Sequence, residues 1–308
     1  MELRLAFGFL LLFGSLALGK WLSVRGVLTE AAGARLVRWL VRGSSPVVLC
    51  LSAWRMNFRD ATPWLLPFIG LSVALSALLP AAWFARANRM TPAQTGSFLN
   101  AALFSNIGYF GGLLIFALFG EAGYGYAQLF LLFFTPCFYT VGFWLAAHFG
   151  RSDGQLPQTK RDGALYGYPF AGLLLGIVLS FMGVPRWPVL EWVNHTLIPV
   201  DTGLYLMVIG SQLELAPPRG YWRACLAMCG IKFFYSPAIA WLLISWLGLE
   251  GLPRQVVLLQ AATPVAVSPL ILPMLFGLDK RLMNAAWLFT TVVAVAWFVL
   301  LVPWVMHF

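Results

Sequence analysis

Apolar residues gather into ten long runs, each closed by a short polar segment. The runs cover 4–24, 36–56, 62–85, 93–119, 124–148, 164–183, 189–213, 221–247, 254–277 and 282–306. Each is close to the roughly 20 residues that an α-helix needs to cross about 30 Å of hydrocarbon. The longest polar stretch, GRSDGQLPQTKRDG at 150–163, falls almost at mid-chain and leaves five runs on each side. Its Pro, Gly, Asp and mixed charges predict a surface linker. The pattern predicts an all-α polytopic membrane protein of ten transmembrane helices. The first run needs separate treatment, because LAFGFLLLFGSLAL (5–18) has the length of a signal-peptide core. Only Arg4 precedes it, beside Glu2, whereas Lys20 and Arg25 follow it, and no small-x-small cleavage site appears. That polarity suits a first span with its N-terminus outside.

Composition agrees with the pattern. Of 308 residues 60% are hydrophobic and 10% charged, against about 25% charged in soluble domains. A net charge of +9 raises nucleic acid as a partner, but no sustained basic stretch exists and the aromatics lie in apolar runs, so none is expected. The basic residues sort by loop instead. The loops after runs one, three, five, seven and nine hold Lys20, Arg25, Arg35, Arg86, Arg89, Arg151, Lys160, Arg161, Arg219, Arg223, Lys280 and Arg281. The opposite loops hold Arg4, Arg55, Arg59, Arg186 and Arg254, while Arg38, Arg42 and Lys232 fall inside runs. The richer set marks the cytoplasmic face. Both termini are then periplasmic, the linker is cytoplasmic, and the expected location is the cell inner membrane. Arg38 and Arg42, one turn apart at the start of run two, are read as snorkelling to the interface. Cys50, Cys137, Cys225 and Cys229 lie in apolar runs without C-x-x-C spacing, which suits small buried hydrophobes. The three histidines stand at or near run ends and supply no metal set.

An odd number of spans per half makes related halves insert in opposite senses, as an inverted 5+5 repeat of 1–149 and 164–308 around the linker at 150–163. Traces of the repeat are present. FLNAALF (98–104) parallels LLQAATP (258–264), LFGE (118–121) parallels LFGLD (275–279), and AQLF (127–130) parallels AWLF (286–289). The two runs that open with the first pair are also the irregular ones. Run nine carries Pro264, Pro269 and Pro273, each removing a helix hydrogen bond. Run four carries Ser105, Asn106, Gly108, Gly111 and Gly112 within eight residues, where glycine weakens a helix and admits unusual backbone. Small residues four apart also serve plain helix packing. Broken backbone at membrane depth survives only inside protein or against a wet cavity, and paired interruptions point to a transport site.

The expected substrate site is therefore a crossing of broken helices four and nine, lined by Asn106, Gly108, Gly111, Gly112, Pro264, Val265, Ser268 and Pro269. Half-helix N-termini there would carry positive dipole ends and free N–H groups suited to a carboxylate. Lys232 in CGIKFFYSP lies near the middle of run eight, where a charge faces a cavity or a partner. Asp201, near Pro199 and Gly203, is the acid placed well inside a run, either as a coupling group or as a structural partner. Asn100 and Gln260, paired in the repeat, join Lys232 and Asp201 as candidates for charge or ion coupling.

These motifs resemble a bacterial member of the auxin efflux carrier family, in the superfamily that includes bile acid and arsenite transporters. QAATPVAVSPLILPMLFGLD (260–279) is similar to the ninth helix of that family, and N-x-G-x-x-G (106–111) to its fourth. GLLLGIVLS (172–180), IPVDTGLYLMVIGSQL (198–213) and IKFFYSP (231–237) are similar to its sixth, seventh and eighth. Two positions depart from the family: Leu113 where a proline is common, and Ser268 where an asparagine is. The resemblance implies that spans 1, 2, 6 and 7 form a scaffold. Spans 3–5 and 8–10 would be a mobile transport unit, carrying an organic anion by alternating access.

Secondary active transport of a small organic anion, auxin-like or a dicarboxylate, is thus the expected function, in the lipid bilayer. A proton or sodium ion is the expected coupling partner and a homodimer an assembly to consider. No cofactor is expected, and the absence of a Walker motif removes ATP as the direct energy source. A membrane enzyme would need a convergent His, Asp or Glu cluster, which the scattered histidines do not supply. The alternative is a transport-inactive sensor or channel-like module of the same fold.

Overall fold

The computed structural model describes residues 2–150, 167–213 and 220–307, so the linker expectation at 151–163 lies outside the described residues. In chain order the helices begin with α1 (Glu2–Val24), α2 (Glu30–Arg42), α3 (Ser44–Trp54), α4 (Thr62–Ser76) and α5 (Leu78–Ala87). Next come α6 (Pro92–Leu103), a π-turn at Ile107–Gly111, α7 (Gly112–Phe130), α8 (Phe134–Cys137), a π-turn at Phe138–Gly142, and α9 (Phe143–Phe149). Then follow α10 (Gly167–Phe181), α11 (Pro188–Gln212), α12 (Trp222–Gly230), a π-turn at Ile231–Tyr235, and α13 (Ser236–Leu247). The last are α14 (Gly251–Ala261), a 3₁₀ turn at Ser268–Ile271, α15 (Leu272–Phe276) and α16 (Lys280–Met306).

Among the described residues six helical stretches are long and apolar enough to cross a membrane by length and composition. They are Ala6–Val24, Glu30–Trp54, Thr62–Ala87, Ile107–Phe149, Trp222–Leu247 and Lys280–Met306, with Gly167–Phe181 apolar but shorter. The ten apolar runs map onto these and the remaining helices for identifiable reasons. Runs four and nine are cut by non-helical backbone at 104–106 and 262–267. Run seven forms the 25-residue α11, but Glu191, His195 and Asp201 lower its hydropathy. Runs four and five join through α7, where Gly120 alone is non-helical, with φ 66° and ψ −153°. Run two starts earlier than its apolar residues do, because the Thr29 side chain caps the amide of Ala32 and opens α2 at Glu30.

The chain divides into two compact units. The first holds Met1–Leu65, Gly108–Leu129 and Gln158–Leu213; the second holds Leu66–Ile107, Phe130–Pro157 and Glu214–Phe308. In the first, α1 packs along α11 and α3 along α10. Missing side chains make these approaches close. A Cβ at Gly172 or Gly176, four residues apart on α10, would stand 2.2 Å from the Pro46 carbonyl or 2.3 Å from that of Cys50.

In the second unit, Thr91 and Gln94 form a reciprocal capping box that starts α6. Asp279 caps α16 through the Leu282 amide (2.9 Å) and accepts from the Tyr221 hydroxyl (2.9 Å), while its carbonyl accepts from Ser97 Oγ (2.9 Å). Gly96–Leu103 of α6 and Val256–Ala261 of α14 are buried without exception. Both helices thus reach their ends inside protein, where every freed backbone group needs a protein partner.

Candidate functional site

The partner that each end finds is the other. The Asn106 amide donates to the Pro264 carbonyl (2.7 Å) and the Ala266 amide donates to the Phe104 carbonyl (2.9 Å). Ser105 and Val265 form an isolated antiparallel bridge between them. The register is that of the repeated motifs: setting FLNAALF on LLQAATP equates Phe104 with Pro264, Ser105 with Val265 and Asn106 with Ala266. Each amide therefore reaches the residue equivalent to the one two places before it, a reciprocal exchange.

Side chains complete the accounting. In a continuous helix the Ala102 carbonyl would accept from the Asn106 amide, which here is turned to Pro264. Lys232 Nζ takes its place, donating to the Ala102 carbonyl (2.6 Å) and to Ser105 Oγ (2.8 Å). Lys232 is fully buried, and among the described residues no carboxylate lies within ion-pair distance of it. A charge at this depth is expected to face a cavity or a partner; the partners here are a backbone end and a hydroxyl. On the other helix, Thr263 Oγ1 donates to the Gln260 carbonyl (2.8 Å), the acceptor that Pro264 has no N–H to fill. The Val265 amide donates to Thr290 Oγ1 (3.2 Å), which in turn donates to the Ala286 carbonyl (2.8 Å).

Asn100 and Gln260, equivalent in the repeat, are both fully buried one turn before the breaks. Asn100 Nδ2 donates to the Gly96 carbonyl (3.0 Å) and Gln260 Nε2 to the Ile107 carbonyl (3.0 Å). Among the described residues their carboxamide oxygens have no hydrogen-bond partner. A buried acceptor pair of this kind is costly unless a donor, water or cation fills it.

Of the sequence-derived site residues, the structure brings Asn106, Pro264 and Val265 together, with Lys232 and Gln260 against the same break. Ser268 stands apart: it opens the 3₁₀ turn and is exposed, while Pro269 beside it is buried. Gly108 and Gly111 form the π-turn and Gly112 opens α7, all within the first compact unit.

Asp201 also belongs to the first unit, in different company. It is 6% exposed and accepts from Ser44 Oγ at short range and from Ser45 Oγ (3.1 Å), with the Tyr205 hydroxyl 3.2 Å from Ser45 Oγ. Ser44 and Ser45 open α3, and their two hydroxyls hold the carboxylate.

A second buried acid escaped the sequence reading. The Glu121 side chain is 2% exposed, 2.8 Å from Arg186 and 3.5 Å from Arg55. It also accepts from Asn194 Nδ2, which reaches Ser52 Oγ at 3.0 Å. Its partners lie some 65 positions or more away in sequence, so no local pattern points to them. Thr290 was missed for the same reason, being one of two threonines in an apolar helix.

Residues 164–302 match the family Mem_trans, described as membrane transport protein. The chain is also similar to an uncharacterized transporter, MJ1031, of Methanocaldococcus jannaschii, with 26% identity over 206 residues. That similarity covers 64% of this chain and 64% of the relative, so the chain spans just under two thirds of the length of the curated relative it matches. Both similarities are to transport proteins and neither is to an enzyme. With the six long apolar helices they describe a multi-pass, all-helical membrane protein.

Proposed function

We propose that this chain is a secondary transporter of a small organic anion, of the auxin efflux carrier family. In this reading it has ten spans in an inverted five-plus-five repeat, and substrate binds where broken spans four and nine meet. The observation that carries the reading is the reciprocal backbone exchange between Phe104–Asn106 and Pro264–Ala266. A helix pair interrupted at equivalent positions, deep inside protein, is the construction that transporters use to offer backbone groups to a substrate.

Further features support it. The match at 164–302 takes in the whole of the second interruption. The two compact units separate spans one, two, six and seven from most of the rest, as a scaffold and a moving unit would. The second part of span four groups with the scaffold side, the chain leaving the second unit at Ile107, just after the break.

The anion preference rests on the buried Lys232 ammonium behind the break and on Asn106 within it. Proton or sodium coupling, an inner-membrane location with both termini periplasmic, and a homodimer remain part of the same proposal. The test is flux in proteoliposomes, using substrates first ranked by thermal shift among mono- and dicarboxylates. Asn106→Ala is expected to abolish flux while the purified protein keeps its elution profile and melting point. Unchanged flux would remove the break as the substrate site.

A further inference from the structure

We propose that the face of α2 bearing Arg35, Arg38 and Arg42 is a binding site for the phosphate of an anionic phospholipid headgroup. The three arginines stand at spacings of three and four, which places them on one side of the helix. They line a cleft of about 380 Å³ together with Trp39 and Gly43. All three guanidiniums are exposed, and none makes a hydrogen bond or ion pair among the described residues. The opposite face of α2 is committed to packing: Gly33, Leu40 and Val41 are buried, and a Cβ at Gly33 would meet Val208 at 3.2 Å. The helix is thus held to the unit by one side and presents three free guanidiniums on the other.

An unpaired arginine is costly in hydrocarbon, so this face belongs at the level of the headgroups. Two neighbours mark the same level. Trp39 is 63% exposed beside the arginines, and Arg25, just before α2, lies over the exposed Trp21 ring at 5.0 Å. Aromatic rings with basic groups are the usual furniture of that layer. Simple snorkelling would satisfy one arginine at a time. Three forks converging on one cleft offer a phosphate several two-pronged contacts at once, a geometry that lysine cannot supply. Basic pockets of this kind select anionic lipid over zwitterionic lipid.

The experiment measures lipid retained by the purified full chain, by native mass spectrometry, after exchange into mixed phosphatidylglycerol and phosphatidylcholine. Wild type should retain phosphatidylglycerol over phosphatidylcholine by roughly tenfold more than the triple variant Arg35→Gln/Arg38→Gln/Arg42→Gln. The charge-keeping triple Lys variant should fall between them, and Arg223→Gln, on an exposed arginine of the other unit, should match wild type. Equal enrichment in wild type and the Gln triple overturns the proposal. So does displacement of the lipid by millimolar inorganic phosphate, which would assign the cleft to a soluble anion. If the triple variant does not purify, Arg38→Gln alone carries the test, and no loss of enrichment there overturns the proposal equally.

Discussion

Thr290→Val isolates one hydrogen bond of the break. The substitution is nearly the same shape, so it creates no cavity, but it removes the oxygen that accepts from the Val265 amide at 3.2 Å. Val265, Thr290 and Ala286 are all fully buried, so no water replaces the lost acceptor. A buried amide left without a partner costs about 1–3 kcal/mol, which corresponds to roughly a 5- to 150-fold shift in a local equilibrium. The lost Thr290 donation to Ala286 adds little, because that carbonyl already serves the α16 ladder. Hydrogen exchange followed by mass spectrometry reads the effect where it should occur, in peptides covering 262–267. Thr290→Val should exchange there faster by that factor, with peptides of the first compact unit unchanged. Thr290→Ser keeps the oxygen and should stay near wild type. Should Val and Ser behave alike, the hydroxyl is not what holds the Val265 amide, and the accounting of the break is wrong.

The other expectations concern charges. Glu121→Gln leaves Arg186, itself 11% exposed, beside a neutral partner, and removing one member of a buried pair costs about 3–5 kcal/mol. The melting point should drop clearly, and adding Arg186→Met should restore part of it; a double variant as unstable as the single would deny the pairing. Asp201→Asn should change stability by no more than about 1 kcal/mol, because the Ser44 and Ser45 hydroxyls can turn to face an amide. If Asp201 carries a coupling proton, the same variant should lose gradient-driven flux and keep substrate exchange, and intact gradient-driven flux would confine it to accepting from Ser44 and Ser45. Lys232→Gln keeps donors for Ala102 and Ser105 without the charge, so the fold should persist while affinity for an anion falls about tenfold or more, as charged hydrogen bonds of about 1.5–3 kcal/mol imply. An unaltered affinity would leave Lys232 a structural residue.

How much of this was legible in the sequence depended on distance along the chain. Helix positions followed from apolar runs because burial and membrane crossing act on every residue of a span. The two interruptions were visible because proline and glycine act on their own backbone. Even the register of the break was written in the motifs, since FLNAALF and LLQAATP, once aligned, equate the residues that exchange hydrogen bonds. What did not appear was anything set by a distant partner. Glu121 sits in a short motif next to a turning glycine, and read alone it is a surface acid at a loop. Only Arg186, from the connection between α10 and α11, and Asn194, from α11, make it a buried one. Likewise, the flanking prolines put Ser268 among the residues expected to line the break. The chain instead breaks before it, at Ala262–Val267, since Pro264 and the bridge at Val265 already end the first helix.

Lys232 is where this accounting bears on function. The Ala102 carbonyl needs one donor, and a neutral amide or hydroxyl would supply it without taking a charge out of water. Burying an ammonium costs several kcal/mol even after relaxation, and neither the carbonyl nor the Ser105 hydroxyl carries a full negative charge to offset it. Carbonyl capping therefore accounts for a donor at this position but not for a cation. A cation is accounted for if a negative group visits the break, because an anion bound there would face a charge already desolvated and held in place by two hydrogen bonds. The preorganisation would then be used only when substrate is bound, which is where a transporter gains from it. The same reasoning makes the substrate-free protein the less stable state, so an anion that belongs in this site should raise the melting point of wild type and leave that of Lys232→Gln almost unmoved.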